Sequence, residues 1–312
     1  CIRNKTCLEY DDENLLITSG AMHGLVAVMR TILNEGDEVI CPAPCFSDYQ
    51  GHCGLCGAKL VMVPTSIENG FVPALDDLER CVTPHTRVLL INSPCNPSGI
   101  VLKPAALDML AEFAQKHDLL VVSDEVFDRI VFDGAAESIV TRPGMAERTV
   151  VLNSFSKSYA MTGWRIGYAY GPQWIMREMV KVLSYSIAST NTVGQRAALY
   201  AMSGPQDDFL RFIQSYKNRT DLAWKRLSAM PGVRCLKPEG TFYLFPRFDA
   251  AAADSFAFAV DLLDKVQVVV VPGFPFGPEQ TVRGCIRIAC TVPEHLIAEA
   301  MDRIERYLKR RD

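Results

Sequence analysis

A lysine surrounded by small polar side chains and an arginine offers the most specific chemistry in the sequence. Lys157 follows an apolar run, with Ser154 and Ser156 before it and Arg165 eight positions after it. A lone lysine after a strand is usually a solvated surface residue. Here, hydroxyl and guanidinium groups can bind a phosphate dianion close to the amine. The spacing therefore predicts a phosphate site beside a reactive lysine.

This segment, from Asn153 to Arg165, resembles the Schiff-base signature of fold-type-I pyridoxal-phosphate-dependent aminotransferases of classes I and II, the aspartate aminotransferase superfamily. The resemblance implies that Lys157 holds pyridoxal 5'-phosphate as a Schiff base. It also implies that Ser154 and Arg165 bind the phosphate of the cofactor. Ser156 is either a further phosphate contact or an ordinary turn hydroxyl.

A small-residue loop between a strand and a helix provides a second phosphate-binding pattern. Such a loop, from Ile17 to Met22, exposes unpaired N–H groups and the positive end of the helix dipole to an anion. It resembles the phosphate loop of the family. The resemblance implies that Gly20, Ala21 and Met22 present their backbone amides to the cofactor.

Two further loops resemble segments that surround the cofactor ring. The run from Pro44 to Tyr49 is similar to the family segment whose aromatic side chain stacks on the pyridine ring, which implies that role for Phe46, although a loop aromatic is often plain core. The Asn-, Pro- and Gly-rich turn at 92–99 could be mere punctuation. By resemblance, Asn96 binds the phenolic oxygen of the cofactor and helps to seat the substrate carboxylate.

An acidic residue follows the buried apolar run 119–122, at the strand end where α/β proteins bind ligands. The resemblance implies that Asp124 contacts the pyridine nitrogen and keeps it protonated, so that the ring accepts electrons when the substrate Cα–H bond breaks. Phe127 departs from the family pattern, because a tyrosine usually donates to the phenolic oxygen from this position. Phenylalanine cannot donate, so the working pH of the site is in question.

The substrate carboxylate calls for an arginine in the second half of the chain. Segments 237–243 and 284–288 also resemble family segments, and Arg287 lies where the family arginine grips the α-carboxylate with a bidentate fork. Arg283 is a nearby rival. An arginine in a strand can also be an ordinary exposed edge residue.

The elements that would position these residues follow from the apolar pattern. Short runs that are apolar on both faces alternate with helical patterns over 21–33 and 105–117, and Pro104 stands where the second helix begins. This alternation predicts an α/β fold, a three-layer sandwich with a mostly parallel central sheet. The predicted strands are Leu15 to Ile17, Val39 to Ile40, Leu60 to Val63, Val88 to Ile91, Leu119 to Val122, Val150 to Leu152 and Ile166 to Ala169.

After about Ile175 the pattern changes to long helical stretches, one ending near Ser203 and the next spanning 207–230. We therefore predict a large cofactor-binding domain over 1–203 and an interdomain helix with a small C-terminal α+β domain over 204–312. The predicted pieces of the small domain are strands at 242–245, 268–271 and 286–288 and helices at 255–265 and 293–310.

The composition limits the cellular setting. A net charge of −4 without a basic stripe speaks against nucleic-acid binding, and no apolar stretch approaches the roughly 20 residues that span a bilayer. The odd number of cysteines, 11, without regular spacing favours reduced thiols in the cytoplasm. Cys53 and Cys56 form a C-x-x-C pair without a second pair at ligand spacing, so we predict no metal site.

The functional prediction is a homodimeric transaminase that acts on amino-acid and 2-oxo-acid substrates by a ping-pong mechanism. In it, an amino acid displaces Lys157, which then moves a proton from Cα to the cofactor, and hydrolysis releases a 2-oxo acid. The alternatives are a C–S β-lyase that uses the same cofactor, a cofactor-sensing module, or a truncated inactive relative. The sequence does not identify the substrate.

The start of the chain lacks residues that the family normally supplies. The sequence begins with Cys1 rather than methionine and enters a strand-like run almost at once, so we expect that an upstream segment has been removed. In the family, an N-terminal arm provides a glycine-containing substrate loop and a tyrosine that reaches the phosphate of the neighbouring subunit. Neither can be assigned in this sequence.

Overall fold

The apolar runs of the sequence form the strands of one large sheet. The computed structural model describes residue 2 and residues 6–310, and within them seven strands make this sheet in the order β1-β7-β6-β5-β4-β2-β3. The strands are β1 (Leu15–Thr18), β2 (Glu38–Pro42), β3 (Lys59–Val63), β4 (Thr86–Asn92), β5 (Leu120–Asp124), β6 (Thr149–Ser154) and β7 (Gly167–Tyr170). The pairs among β2 to β6 are parallel, while β7 pairs antiparallel with both β6 and β1. The predicted mostly parallel sheet is confirmed.

Helices cover both faces of this sheet because its strands are apolar on both faces. In β4, Val88 and Leu90 are buried in the cluster on one face, and Leu89 and Ile91 are buried in the cluster on the other. This arrangement confirms the three-layer α/β sandwich. The helices of the first part of the chain are α1 (Gly20–Ile32), α2 (Tyr49–Gly54), α3 (Leu75–Cys81), α4 (Pro104–Lys116), α5 (Phe155–Ser158), α6 (Gln173–Ile187) and α7 (Thr192–Ser203).

Two helices on each face contribute large buried side chains to the core. Leu25 of α1 and Met179 of α6 belong to the cluster on one face, whereas Leu78 of α3 and Phe113 of α4 belong to the cluster on the other. Helix α4 begins at Pro104, one residue before the predicted start, because proline is well suited to the first helical position, where no N–H partner is needed.

The second part of the chain builds a separate cluster. Its elements are α8 (Asp207–Ser228), β8 (Val233–Arg234), β9 (Tyr243–Leu244), β10 (Arg247–Phe248), α9 (Ser255–Val266), β11 (Val271–Pro272), α10 (Glu279–Val282), β12 (Ile286–Ala289) and α11 (Glu294–Leu308). Buried Leu227, Phe258 and Ile304 pack together there. Strands β11, β12 and β9 form a three-stranded sheet in that order. The division at 203/204 stays a prediction.

Two strands of the small sheet are shorter than predicted, whereas β12 extends one residue beyond the predicted 286–288. The run 268–271 contributes only its last residue to β11, because the amide of Val268 donates to the carbonyl of Leu262 and closes the end of α9 instead. Likewise, the predicted strand 242–245 is reduced to β9.

Candidate active site

The ends of three neighbouring strands bring the polar residues of the sequence motifs together. Asn92 at the end of β4 lies opposite Asp124 at the end of β5, and Asp124 in turn lies opposite Leu152 of β6. Ser154 ends β6, and Lys157 follows on α5. Because the carboxyl ends of parallel strands share one edge of the sheet, these side chains border the same space.

That space is a cavity of about 280 Å³. All but one of the residues predicted for the site line it, and the exception, Gly20, lies beside it. The predicted residues in the wall are Ala21, Met22, Phe46, Asn96, Asp124, Phe127, Ser154, Ser156, Lys157, Arg165 and Arg287. Residues that sequence reasoning did not single out complete the wall: Leu25, Asn92, Val126, Leu152, Thr162 and Tyr243. Arg283, the rival of Arg287, lies elsewhere and donates to the carbonyl oxygen of Ala252.

Lys157 places its amine in this cavity. Its Nζ lies 5.9 Å from the centre of the Phe242 ring. Burial lowers the pKa of Lys157, and the nearby charges of Arg165 and Arg287 lower it further. A lysine in such a setting loses its proton more readily and is a better nucleophile and base.

Arg165 approaches the start of α1 very closely. Its Nη1 donates to the carbonyl of Thr162 at 2.7 Å, and a Cβ on Gly20 would lie only 2.4 Å from its Nη2. Gly20 also has a positive φ of 76°. Glycine is therefore required here for two reasons, and it lets the guanidinium meet the first amides of a helix. Such a combination binds anions.

The two serines of the lysine segment differ in their hydrogen bonds. The Oγ of Ser154 accepts from the amide of Ser156 at 3.0 Å and donates to the carbonyl of Ile166 at 3.2 Å, so it caps α5. Both serines are buried and line the cavity. Thus Ser154 has a structural task as well as a position in the wall.

Asp124 is held by donors on both carboxylate oxygens. The hydroxyl of Tyr49 donates to Oδ2 at 2.6 Å, and the amide of Val126 donates to Oδ1 at 3.2 Å. Burial nevertheless raises the pKa of Asp124, although these two bonds act to lower it. A carboxylate buried without a salt bridge is stabilised by any cationic group that enters the cavity.

A continuous set of hydrogen bonds connects Asp124 to Arg287. The side-chain amide of Asn92 donates to the backbone carbonyl of Asp124 at 3.0 Å, and its Oδ1 accepts from the amide of Asn96 at 2.8 Å. The Oδ1 of Asn96 then accepts from Nη1 of Arg287 at 2.9 Å. Two asparagines therefore link the strand edge to the arginine of β12.

Arg287 is half-buried, yet it forms no ion pair with an acidic residue of the described ranges, and its Nε is buried without a hydrogen-bond partner. Burial lowers the pKa of Arg287, against the effects of Tyr243 and Asp48.

Lys157 and Arg165 also lack an ion pair among the described residues, and Asp124 is the one acid among the lining residues. The cavity wall is therefore electropositive and suited to anions.

The aromatic residues of the site have different environments. Phe46 lines the cavity and packs edge-on against Tyr49, with ring centres 5.6 Å apart. Phe127 is buried and packs edge-on against Phe242 at 5.3 Å and Tyr243 at 5.8 Å. Phe46 is thus accessible to a flat ligand, whereas Phe127 is part of an aromatic cluster at the wall.

The residues that sequence reasoning missed lie within motifs that it had found. Tyr49 ends the segment that contains Phe46, Asn92 begins the turn that contains Asn96, and Tyr243 ends the segment 237–243. The motifs that contain Tyr49 and Asn92 were each given one functional side chain, and the segment 237–243 was given none. In the first two motifs the available signal was a second polar or aromatic residue, three or four positions away from the one that was chosen.

Other predictions concern groups away from the cavity. No group of three or more potential metal ligands occurs among the described residues. None of the described helices is long and apolar enough to cross a membrane. Cys53 and Cys56 are both free thiols, and burial raises the pKa of Cys53 to about 12, which makes it a poor nucleophile.

Known proteins with similar sequences are aminotransferases. The family model for aminotransferase class I and II matches residues 2–304. Aromatic-amino-acid aminotransferase 2 of Thermococcus litoralis is 40% identical over 300 residues, which cover 95% of this chain and 76% of the relative. Aspartate aminotransferase of Pyrococcus abyssi is 38% identical over 314 residues, which cover 99% of this chain and 79% of the relative.

Solved structures agree with the sequence matches. The aromatic aminotransferase of Pyrococcus horikoshii OT3 has a TM-score of 0.95 at 38% identity, covering 99% of this chain and 83% of that one. Aspartate aminotransferase of Thermus thermophilus with maleate has a TM-score of 0.91 at 34% identity, covering 98% and 78%. With the family match over nearly its whole length and relatives of the same fold, this chain belongs to the class I and II aminotransferases.

Proposed function

We propose that this aminotransferase binds pyridoxal 5'-phosphate in the cavity through Lys157 and moves an amino group between an L-amino acid and a 2-oxo acid by a ping-pong mechanism. The observation that carries the proposal is one cavity that combines the amine of Lys157, buried Asp124, and the guanidinium groups of Arg165 and Arg287, neither of which has an ion pair among the described residues. When bound, the cofactor supplies an aldehyde for amines and a ring that accepts electrons.

The charges of the cavity fit this cofactor. Gly20 and Arg165 form a cradle for the phosphate, because a Cβ on Gly20 would fill the space that the guanidinium uses. The amides of Ala21 and Met22 and the hydroxyls of Ser154 and Ser156 complete the proposed phosphate site. These contacts suit a dianion, since several donors share its charge.

The opposite end of the cavity suits the ring. Asp124 would hold the pyridine nitrogen in its protonated form, and its bond to Tyr49 fixes the carboxylate for that contact. Phe46 would stack on the ring, and Asn96 would bind its phenolic oxygen. Phe127 has no hydroxyl to donate to that oxygen.

Lys157 would have two tasks in the reaction. It would attach the cofactor through its Nζ at rest and, once displaced by the amino group of the substrate, take the proton from the substrate Cα. Its lowered pKa supports both tasks, because each needs the neutral amine. Arg287, oriented by Asn96, would bind the substrate carboxylate.

The identity of the amino acid is a separate question, because the named relatives act on aspartate or on aromatic amino acids. We propose that the protein is a homodimer located in the cytoplasm, as the family resemblance and the composition favour. Two units, 1–203 and 204–312, are part of the same proposal.

Borohydride trapping tests the central assignment. Purified protein is incubated with pyridoxal phosphate, reduced and digested, and the modified peptide is identified by mass spectrometry. We expect the label on Lys157, no specific label in Lys157→Ala, and unchanged labelling in Lys225→Ala, which replaces an exposed lysine. A label fixed on another lysine of the unsubstituted protein would refute the assignment.

Turnover separates transamination from elimination. The wild-type enzyme is given an amino acid with and without a 2-oxo-acid acceptor, and products are followed by chromatography. We expect multiple turnovers only when the acceptor is present. Pyruvate formed in many turnovers from a sulfur amino acid without an acceptor would instead indicate a lyase.

A further inference from the structure

The guanidinium group of Arg287 lies close to two aromatic rings. Its Cζ is 4.6 Å from the centre of the Tyr243 ring and 4.9 Å from the centre of the Phe276 ring. Both distances are within the range in which a cation is attracted to the negative face of a ring. The planar guanidinium group is the cationic side chain best suited to such stacking.

The small sheet and a loop contact create this arrangement. In the pairing of β12 with β9, Ala289 lies opposite Tyr243, so Arg287 is the diagonal neighbour of Tyr243 on the same face. Phe276 ends the short 3₁₀ helix Phe274–Phe276 before α10, and its carbonyl accepts from the amide of Cys45 at 2.8 Å. The second ring is therefore attached to the loop that precedes Phe46.

The position of Tyr243 is determined by more than its strand. Its amide donates to Oγ1 of Thr241 at 3.0 Å, and Thr241 is completely buried with a positive φ of 64°. A β-branched residue adopts that conformation only where its surroundings impose it. Tyr243 itself is 8% exposed, and its hydroxyl makes no hydrogen bond within the described residues. The ring, rather than the hydroxyl, carries its contacts with Arg287.

Aromatic rings can stabilise the buried Arg287 cation without occupying its N–H groups, which a carboxylate cannot do. An aspartate or glutamate beside Arg287 would stabilise the buried cation but would occupy the N–H groups that a substrate carboxylate needs. A ring stabilises the cation through its face and leaves those N–H groups free. Asn96 accepts a hydrogen bond from Nη1 only. Other N–H groups of the guanidinium therefore remain for the substrate carboxylate.

We propose that Tyr243 and Phe276 are positioning residues for substrate binding, which hold the Arg287 guanidinium in the plane that receives the α-carboxylate. The inference rests on the proposed function of Arg287 in the transaminase. The rings restrict rotation of the long arginine side chain before the substrate arrives, and the single bond to Asn96 cannot do this alone. A planar carboxylate then meets a preoriented fork.

The test uses the holoenzyme and 3-phenylpropanoate, a carboxylate without an amino group. Its dissociation constant is measured by calorimetry for Tyr243→Leu, Phe276→Leu and Tyr243→Phe. We expect each leucine variant to bind the probe about tenfold more weakly, as for a desolvated cation–π contact. Tyr243→Phe keeps the ring and is expected to bind as wild type. Phe274→Leu, which removes an exposed ring two residues from Phe276, is the control.

Kinetics give a second reading. In the leucine variants KM for the amino acid should rise about tenfold while kcat falls by less than threefold, since binding rather than chemistry is affected. Wild-type affinity in Tyr243→Leu would overturn the proposal, and so would an equal loss in Tyr243→Phe, because it would assign the effect to the hydroxyl. If Phe276→Leu does not fold, the comparison of Tyr243→Leu with Tyr243→Phe is sufficient to test the proposal.

Failure of the broader assignment is distinguishable from failure of this inference. If Lys157 of the wild-type protein is not labelled by the cofactor, the proposed function fails before any variant is compared. If the label is present and Arg287→Gln binds the probe as tightly as wild type, Arg287 is not the carboxylate site, which also overturns the positioning role of the rings.

Discussion

The protonation of Lys157 is decided by its neighbours rather than by the ordinary chemistry of a lysine. The side chain is half-buried, and the charges of Arg165 and Arg287 act on the same amine. All of these influences disfavour the ammonium form, so the folded-state pKa lies below the value for a free lysine. The neutral amine is consequently available at lower pH.

The pH dependence of cofactor attachment follows from this shift. In the apo protein, the rate of attachment to Lys157 should rise with pH and reach half its limit below the ordinary lysine pKa of about 10.4. Stopped-flow absorbance over a pH series measures it. Arg287→Gln, which removes one positive charge, should move the midpoint upward. A midpoint at or above the ordinary value in wild type would contradict the shift.

Asp124 provides the complementary charge. We expect Asp124→Asn to retain some cofactor but to lose about 10²–10³-fold in kcat, because the neutral amide cannot hold the proton on the pyridine nitrogen. Tyr49→Phe removes one hydrogen bond to the same carboxylate and should lose less. Steady-state assays at saturating cofactor compare the two. Near-native activity of Asp124→Asn would remove this residue from the mechanism.

The sequence predicted the position of most cavity residues, but not the contacts among them. Lys157, Asp124 and Arg287 were found because whole motifs surround them. Tyr49 and Asn92 were missed because their roles are hydrogen bonds to Asp124, and a hydrogen bond between residues 32 to 75 positions apart leaves no local pattern.

At the scale of elements, the join between β1 and α1 requires glycine. Gly20 and Gly36 both have positive φ angles, 76° and 86°, but only Gly20 has another side chain within contact distance of a Cβ. Comparing alanine substitutions at the two positions therefore separates the effect of backbone strain from the effect of a side-chain clash.

Gly20→Ala should weaken binding of pyridoxal phosphate by at least tenfold, because the added methyl group displaces Arg165. Gly36→Ala should keep wild-type affinity and cost only the strain of a left-handed alanine, about 1–2 kcal/mol of unfolding free energy. Fluorescence titration and urea denaturation measure the two effects. Equal affinities in both variants would show that Arg165 can move aside without loss.

Prediction of elements succeeded where the apolar pattern was long enough. The strands of the large sheet are apolar on both faces, as in β4, because helices pack against both faces. The small sheet consists of strands of two to four residues. Such short segments carry too few alternations to define their ends, and the bonds that trim them, such as Val268 to Leu262, are tertiary.

For the whole molecule, the two-sided core of the large sheet determines stability. Leu90 is completely buried at its centre, so Leu90→Ala should lower the unfolding free energy by about 2–5 kcal/mol. Leu210, which is 60% exposed on α8, is the matched control, and its alanine variant should change stability by less than about 0.5 kcal/mol. Urea denaturation tests both. Comparable losses would mean that the Leu90 site collapses around the smaller side chain.

The basic side chains of the cavity also have a kinetic consequence. The chain as a whole carries a net charge of −4, which repels anions at long range, whereas Lys157, Arg165 and Arg287 attract them at the cavity. At a Debye length of about 8 Å in physiological salt, the short-range field dominates capture. We expect the association rate of pyridoxal phosphate to fall as salt increases, and to fall less in Arg165→Gln. An anion is therefore captured mainly when diffusion brings it within a few ångströms of the cavity entrance.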